Sequence, residues 1–353
     1  MLLETFGNRL KLVRENQGIS QAKLSENTGV VREQISRIEN GQINPTLETI
    51  YRLSSALHTP LKELLDFEIA NDIEIKKYKI KPFVKWAGGK TQILDKLKEY
   101  MPKSFNTYFE PFLGGGAMLF SLIPNKAVVS DYNKELILAY QSFKDSNDFV
   151  LMIEEIIKHE NNHNEDYYYE IREMDRKDTY NYLPSYIKAA RLIYLNKACF
   201  NGLYRVNSKG YFNVPSGKKE IVRAYNKELF DDIHEYLSNP NIKIISGDFE
   251  KAVESAKSGD FVYFDPPYDS YDDKESFTTY TKNAFDKEEQ KRLSNVFRKL
   301  DKKGVFVMLS NHNTDYINEL YKGYNINVIN ARRNINSKGS GRGKVEEVII
   351  TNY

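Results

Sequence analysis

The stretch Tyr108-Phe109-Glu110-Pro111-Phe112-Leu113-Gly114-Gly115-Gly116 reads as a strand that runs into a glycine turn, with a helix expected from near Ala117. Strand, tight turn and helix in that order open the nucleotide-type cofactor site of an α/β sheet. A second strand, Ala127-Val128-Val129-Ser130, ends at Asp131, about where a ribose-binding carboxylate belongs. A dinucleotide fingerprint needs a further glycine at 119, and Leu119 stands there. An adenosine cofactor without a pyrophosphate has no such need, and its cationic methionine end suits Glu110, so S-adenosylmethionine fits better than NAD. A glycine turn alone is weak evidence, because it serves structure as often as cofactors.

Upstream, Lys85-Trp86-Ala87-Gly88-Gly89-Lys90-Thr91 has the look of a phosphate loop. Its spacing fails, because Val84 occupies the position that needs the first glycine. Nucleoside triphosphate hydrolysis is therefore not expected.

Downstream, Ile242-Lys243-Ile244-Ile245-Ser246 is a strand ending at Gly247-Asp248-Phe249. Phe261-Val262-Tyr263-Phe264 is another, ending at Asp265-Pro266-Pro267-Tyr268. Proline cannot donate to a ladder, so the prolines stop the strand and leave backbone carbonyls beside the Asp265 carboxylate. Asp265 and the Pro266 carbonyl can both accept hydrogen bonds from one exocyclic amine, and Tyr268 can stack on the ring that bears it, a contact worth about 1–3 kcal/mol per base. The competing reading is a proline turn with a surface aspartate. Strands are also expected at Val305-Phe306-Val307-Met308-Leu309 and from Val345 to Thr351, flanking a basic loop from Arg332 to Lys344.

The 353 residues leave room for two or three domains. Hydrophobic content of 41% and charged content of 28% are ordinary for a soluble protein. Met1 to Phe6 lacks the pattern of a signal peptide and no apolar run approaches membrane-spanning length, so a cytoplasmic protein is expected. The single cysteine, Cys199, rules out a disulfide framework and a cysteine-rich metal site. It follows Ala198 rather than a proline, which disfavours a cysteine nucleophile for methylating pyrimidine carbon, and it is expected to pack in the core. Net charge is only +2, yet Lys197, Arg205, Lys209, Lys218, Lys219 and Arg223 face Glu220 alone between 197 and 223. Arg332, Arg333, Lys338, Arg342 and Lys344 face Glu346 alone near the C-terminus, in a loop expected to hold phosphates.

The first 66 residues read as short helices: Thr5 to Asn16, Ser20 to Asn27, Val31 to Asn40, Thr46 to Leu57 and Pro60 to Leu65. Ser20 and Thr46 suit N-caps, and Gly18, Gly29 and Gly41 suit stops. Leu10, Val13, Leu24, Ile35, Ile38, Leu47, Ile50 and Leu53 recur at helical spacing and predict one small core. From Glu135 to Cys199 the chain reads as helical with a polar interruption at Asn161 to Glu165. His159-Glu160-Asn161-Asn162-His163 matches the zinc-protease pattern, but its asparagine-rich setting predicts a solvated helix end and no metal. After Phe200 the pattern becomes a hairpin with turns at Asn207-Ser208-Lys209-Gly210 and Pro215-Ser216-Gly217.

Two resemblances arise from these residues. The pattern Ser20-Gln21-x-x-Leu24-Ser25-x-x-x-Gly29-Val30, then Ile35-Ser36-Arg37-Ile38-Glu39-Asn40-Gly41 and Asn44-Pro45, resembles Cro and phage-repressor helix-turn-helix domains. That resemblance implies a major-groove helix exposing Arg32, Glu33 and Arg37, with Gln21 capping the approach. A bundle used only for protein contact is the alternative. From about residue 80 onward, Lys85 to Lys90, Phe109 to Gly116, Phe200-Asn201-Gly202-Leu203-x-Arg205-x-Asn207, Phe212-Asn213-Val214-Pro215, Gly247-Asp248-Phe249 and Asp265 to Tyr268 occur in the order seen in Dam-type DNA adenine-N6 methyltransferases. The chain is especially similar to modification enzymes of the DpnII kind.

That second resemblance implies an α/β, Rossmann-like S-adenosylmethionine-dependent sheet with an inserted helical and β-hairpin target-recognition domain, beside the small all-α N-terminal domain. The implied division is 1–66 helix-turn-helix, 67–79 linker, 80–134 and 226–353 catalytic, and 135–225 target recognition. Implied cofactor residues are Trp86, Lys90, Phe109, Glu110, Pro111, Gly114, Gly115, Gly116, Asp131, Asp248, Phe249 and Asp265, with Asp248 on the cofactor amine and Phe249 on its ring. Implied catalytic residues are Asp265, Pro266, Pro267 and Tyr268, acting on a flipped adenine by direct transfer. Implied double-stranded DNA contacts are Lys85, Phe200, Asn201, Leu203, Arg205, Asn207 and Pro215, with Arg205 reading a guanine, and the expected phosphate contacts are Arg332, Arg333, Lys338 and Arg342. The loop carrying Phe277, Thr278, Tyr280 and Phe285 is expected to fold over DNA. The implied target is GATC, and the N-terminal domain is expected to bind a promoter. Cytosine-N4 methylation and a DNA-binding regulator with an inactive catalytic half remain as alternatives.

Overall fold

A computed structural model describes residues 2–65, 78–90, 92–269, 285–332 and 344–353. Residues 67–77 of the expected linker 67–79, the loop residues Phe277, Thr278 and Tyr280, and the basic residues Arg333, Lys338 and Arg342 lie outside the described residues. The chain divides into two compact units, Met1–Tyr78 and Lys79–Tyr353.

In the first unit five helices, Leu2–Asn16, Gln21–Thr28, Arg32–Glu39, Leu47–Ala56 and Leu61–Leu64, bury Leu10, Val13, Leu24, Ile35, Ile38 and Leu53 in one core. Ser20 and Thr46 cap the second and fourth helices by accepting from Lys23 N and Thr49 N, and Gly29 ends the second in the left-handed region. Leu47 departs from the predicted core. It is the first residue of its helix, ahead of the turns that face the bundle, and is 70% exposed. Arg14 lies in the core and forks onto Glu39 at 2.6 and 2.9 Å, while Gln21 donates to the same carboxylate at 2.8 Å.

The second unit is built on a seven-stranded sheet: β1 Tyr108–Glu110, β2 Ala127–Asp131, β3 Ile242–Ser246, β4 Phe261–Phe264, β5 Phe306–His312, β6 Asn325–Arg332 and β7 Lys344–Thr351, in spatial order β3-β2-β1-β4-β5-β7-β6. β3, β2, β1, β4 and β5 are parallel, and β7 runs antiparallel to both β5 and β6. All four residues of β4 are buried, as a central parallel strand covered on both faces requires. β1 stops at Glu110 because Pro111 follows. β6 was not anticipated: Asn325, Asn327 and Asn330 interrupt its apolar residues, a composition tolerated on an edge strand.

The helix Lys287–Lys302 starts at Asp286, whose side chain accepts from Glu289 N, and buries Leu293, Val296, Phe297 and Leu300 beside β4, β5 and β7. The polar interruption after Asn161 separates the helices Ser146–Asn161 and Glu165–Glu173. Helix Ser185–Ala198 packs against both Lys134–Lys144 and Ser146–Asn161, and Lys134–Lys144 in turn packs on β2 and β3. The elements between β2 and β3 are thus continuous with the layer that covers the sheet.

Candidate active site

Strand order changes direction at β1: its neighbour β2 follows it in sequence, while β4 flanks its other side. A crevice beyond the carboxyl ends of the strands at such a point is where open α/β sheets collect ligands. Glu110 closes β1, Asp131 closes β2 and Asp265 follows β4, so the topology delivers three acids to one rim. Glu110 senses the other two: Asp265 and Asp131 both raise its carboxyl, although burial is the main reason it stands well above its ordinary value. Tyr108 Oη donates to Glu110 at 2.9 Å. Burial also lifts Asp131, opposed by hydrogen bonds from the Asn133 and Gly114 amides at 2.8 and 2.9 Å.

The glycine turn is shaped by close neighbours. A Cβ on Gly114 would come within 3.0 Å of the Trp86 ring, and one on Gly116 within 2.6 Å of Tyr140 Oη, with both glycines at positive φ. Trp86 itself stacks on Tyr204, with centroids 4.7 Å apart and planes at 26°. Phe109 is buried in the sheet core, and Gly115 approaches the Trp86 Cβ.

At the Asp265 turn, Ser310 donates to Asp265 Oδ1 at 2.9 Å and the Lys90 ammonium pairs with the same oxygen at 2.8 Å. Burial pushes the Asp265 carboxyl up, and Lys90 pulls it back. The ammonium also lies 4.4 Å from the centre of the Tyr268 ring. Lys90, grouped by sequence with the cofactor residues, thus sits in the clamp. Tyr268 donates to Glu347 at 3.1 Å and meets the His312 ring edge-on at 4.8 Å. Pro266 is buried, and the Pro267 carbonyl accepts from Gln290 at 2.9 Å, so the turn is held from beneath.

Asp248 differs from the simple expectation of a waiting acceptor. Arg292 forks onto both its oxygens at 3.0 and 2.6 Å and holds its carboxyl below the usual range. The guanidinium lies 4.1 Å from the centre of the Phe249 ring, whose other neighbour, Phe112, stacks at 5.3 Å. Phe285 meets Phe112 edge-on at 5.6 Å and Phe249 at a tilt, 5.9 Å away.

The hairpin forms, but its strands are irregular: isolated antiparallel bridges join Val206 to Phe212 and Cys199 to Ser216. Asn207 builds its turn, its side-chain oxygen accepting from Lys209 N and Tyr211 N at 3.0 Å each. Phe200 is 53% exposed, an unusual position for a large aromatic, and Asn201 beside it adopts φ 55°. Arg205 is exposed, and Asn213, absent from the sequence-predicted site, accepts from its Nε at 2.7 Å and from its Nη2 through the backbone carbonyl at 3.3 Å. Leu203 is half-buried, while Lys85 and Pro215 are exposed. Asp175 and Arg176 hold the Phe212 amide and carbonyl at 2.8 and 2.9 Å, tying the hairpin to the helices. In the first unit Arg32, Glu33 and Arg37 are exposed on one helix whose Ile35 and Ile38 are buried. Arg332 closes β6.

The H-E-x-x-H segment is structural, although the predicted solvated helix end is corrected. His159 is 1% exposed, bonds Tyr167 Oη at 2.8 Å, and burial lowers its pKa to about 4. Glu160 accepts from the Ala224 and Tyr225 amides, and His163 lies between Tyr194 Oη and the Lys219 carbonyl. Cys199 is buried, its thiol pushed up to about 11 by burial.

A parallel sheet whose switch-point crevice gathers Glu110, Asp131 and a proline-stopped Asp265 clamp defines an α/β methyltransferase with a second, helix-turn-helix unit. Residues 86–335 match the family described as D12 class N6 adenine-specific DNA methyltransferase, and residues 10–64 match the helix-turn-helix family. Type II methyltransferase M1.LlaDCHI of Lactococcus lactis subsp. cremoris is 47% identical over 283 residues, covering 80% of this chain and 99% of that protein. Type II methyltransferase M.MjaIII of Methanocaldococcus jannaschii is 41% identical over 292 residues, covering 78% and 99%. The DNA adenine methylase of Haemophilus influenzae is 31% identical over 278 residues, covering 77% and 94%. Among solved structures, the restriction-modification controller protein C.AhdI from Aeromonas hydrophila is 37% identical, covering 18% of this chain and 94% of its own, with a TM-score of 0.17. The chain belongs to the D12 class of N6 adenine-specific DNA methyltransferases and carries an N-terminal helix-turn-helix domain.

Proposed function

We propose that this enzyme modifies the adenine of GATC in duplex DNA as the modification partner of a restriction system, using S-adenosylmethionine. The observation that carries the reading is the Asp265 clamp at the β1/β4 switch point, built on a buried scaffold of Ser310, Gln290 and Tyr263. The donor set suits the cofactor: Glu110, Asp131 and Asp265 form an acidic rim that favours a cationic ligand, and Phe249 offers an aromatic face beside Asp248. When bound, S-adenosylmethionine supplies an electrophilic methyl group. Glu110 would face its charge, Asp131 would hold its ribose, and Asp248, through the lone pair that the Arg292 fork leaves, would accept from its adenine amine.

The target adenine is unreachable in a duplex, so it leaves the stack at a cost of about a few kcal/mol. Asp265 and the Pro266 carbonyl then accept from its N6 amine, drawing the nitrogen lone pair out of conjugation, and Tyr268 stacks on the ring. Tyr268 is presently covered by the Lys90 ammonium, so the incoming base exchanges places with that contact. The exposed Phe200 fills space beside the displaced base, Arg205 reads a guanine through paired donors, and Lys85, Asn201, Leu203, Asn207 and Pro215 line the recognition surface. Arg332, Arg333, Lys338 and Arg342 hold phosphates. The helix-turn-helix unit binds a promoter, the enzyme's own being the natural candidate.

Labelled cofactor and duplexes differing at one base test this, followed by nucleoside analysis. Label is expected only in N6-methyladenine of GATC duplexes, and Asp265→Ala should cut transfer by on the order of a hundredfold or more while cofactor still binds. Equal labelling of duplexes that lack GATC would remove the target assignment.

A further inference from the structure

We propose that Asn196 is a specificity-positioning residue, which sets the recognition hairpin in register with the cofactor side of the active site. Asn196 lies near the end of helix Ser185–Ala198 and is 2% exposed. Its one side chain bonds two segments, one far away in sequence at Lys85 and one just beyond its own helix at Gly202. Oδ1 accepts from Lys85 N at 2.8 Å, while Nδ2 donates to the Lys85 carbonyl at 2.9 Å and to the Gly202 carbonyl at 3.1 Å. The carboxamide thus pairs with the Lys85 backbone as a neighbouring strand would, and clasps the recognition turn with the donor that remains.

Other contacts converge on the same junction. Gly202 adopts φ +67°, and a Cβ there would come within 2.6 Å of Lys85 Cδ, so the Lys85 side chain crosses directly over the glycine. One residue beyond Lys85 and two beyond Gly202, Trp86 stacks on Tyr204. Trp86 also packs over Gly114 of the cofactor turn, and Gly114 N is held by Asp131 at 2.9 Å. A short path of direct contacts therefore runs from Asp131 through Gly114, Trp86 and Tyr204 to Arg205. Asn196 holds both sides of the step at which that path crosses from one segment to the other. A buried polar group with every partner satisfied fixes a unique arrangement, and removing it leaves the Lys85 and Gly202 backbone groups to find others. The hairpin then samples more than one register, and near-cognate sequences are accepted more readily.

This inference rests on the proposed role of the hairpin, and the experiment keeps the two apart. The full-length chain and its Asn196→Ala, Gly202→Ala and Arg205→Ala variants are assayed for kcat/KM on a GATC duplex and on duplexes changed at one base. Cofactor affinity is measured in parallel, with Trp86, the single tryptophan, as the fluorescent reporter. For Asn196→Ala the ratio of GATC to near-cognate rates should fall by about tenfold, with cofactor affinity retained and the Trp86 response to GATC duplex reduced. Gly202→Ala, which keeps Asn196 but displaces Lys85, should do the same. An unchanged ratio, with any loss shared equally by all duplexes or confined to thermal stability, would overturn the role. Failure of both variants to fold would also overturn it, by making Asn196 a residue of stability alone. If Arg205→Ala leaves the ratio intact, the recognition role of the hairpin fails; if Arg205→Ala relaxes it and the other two do not, only the role of Asn196 fails.

Discussion

Burial holds the Glu110 carboxyl well above its ordinary value, and Asp265 and Asp131 push it further in the same direction. A carboxyl raised in this way holds its proton to higher pH than a free glutamate does. A cation beside Glu110 stabilises the carboxylate, lowers its pKa and drives the proton off, so binding a cationic cofactor releases a proton and weakens as pH falls. Calorimetry in buffers of different ionisation heat should therefore show proton release with S-adenosylmethionine. S-adenosylhomocysteine, whose sulfur carries no charge, should release less, and Glu110→Gln should abolish the difference. Equal proton release by both ligands would separate Glu110 from the cationic end of the site. Asp265 sits in a different balance, because Lys90 at 2.8 Å opposes the burial that raises it. Both acids of the rim are thus raised by burial, and each is opposed by a neighbour, Tyr108 at Glu110 and Lys90 at Asp265.

The helix Ser146–Asn161 ends in the buried His159, whose pKa falls to about 4 from an ordinary 6.5. A base depressed in the folded state binds its proton more readily when unfolded, so its contribution to stability is present above about pH 6.5 and is lost as pH falls toward 4. Thermal melting should drop by a few degrees between those values, and His159→Phe should flatten that part of the profile. A profile unchanged by the substitution would mean that other groups carry the acid sensitivity. The same segment shows where sequence reading ends. Its H-E-x-x-H spacing was visible, but the partners that make it structural, Tyr167, Tyr194, the Lys219 carbonyl and the Ala224 amide, are reached only through the fold. Strands β1 to β5 and β7 were legible because apolar runs meet prolines, glycines or acids at their ends. β6 was hidden by its asparagines. The acids of the crevice could be read from strand ends, whereas Arg292 on Asp248 and Ser310 on Asp265 pair residues distant in sequence, and Asn213, though it stands in a quoted motif, shows its pairing with Arg205 only once the hairpin folds.

The chain joins two units that each own a core, one around Leu10, Leu24, Ile35, Ile38 and Leu53 and one around the seven-stranded sheet. Every group assigned to the chemistry, from Lys85 to Tyr268, lies in the second unit, while Arg32, Glu33 and Arg37 present their exposed side chains from the first. Separate cores allow the two activities to be lost separately. Removing residues 1–66 should leave methylation of GATC duplexes unchanged and abolish binding to a fragment carrying the enzyme's own promoter. A point substitution offers the same dissection without shortening the chain. Glu39 accepts the buried Arg14 fork at 2.6 and 2.9 Å, and Glu39→Ala would strand a buried guanidinium, at a cost of about 3–5 kcal/mol, which is a large part of the stability of a helical unit this small. That variant should lose promoter binding and the melting transition of the first unit while keeping its methylation rate. Arg37→Ala, on the exposed face, should weaken promoter binding and leave both transitions in place. A methylation rate that falls with the truncation and with Glu39→Ala alike would instead assign the first unit to delivery of the methylated DNA, because loss of a separate regulatory function cannot slow transfer to a short duplex.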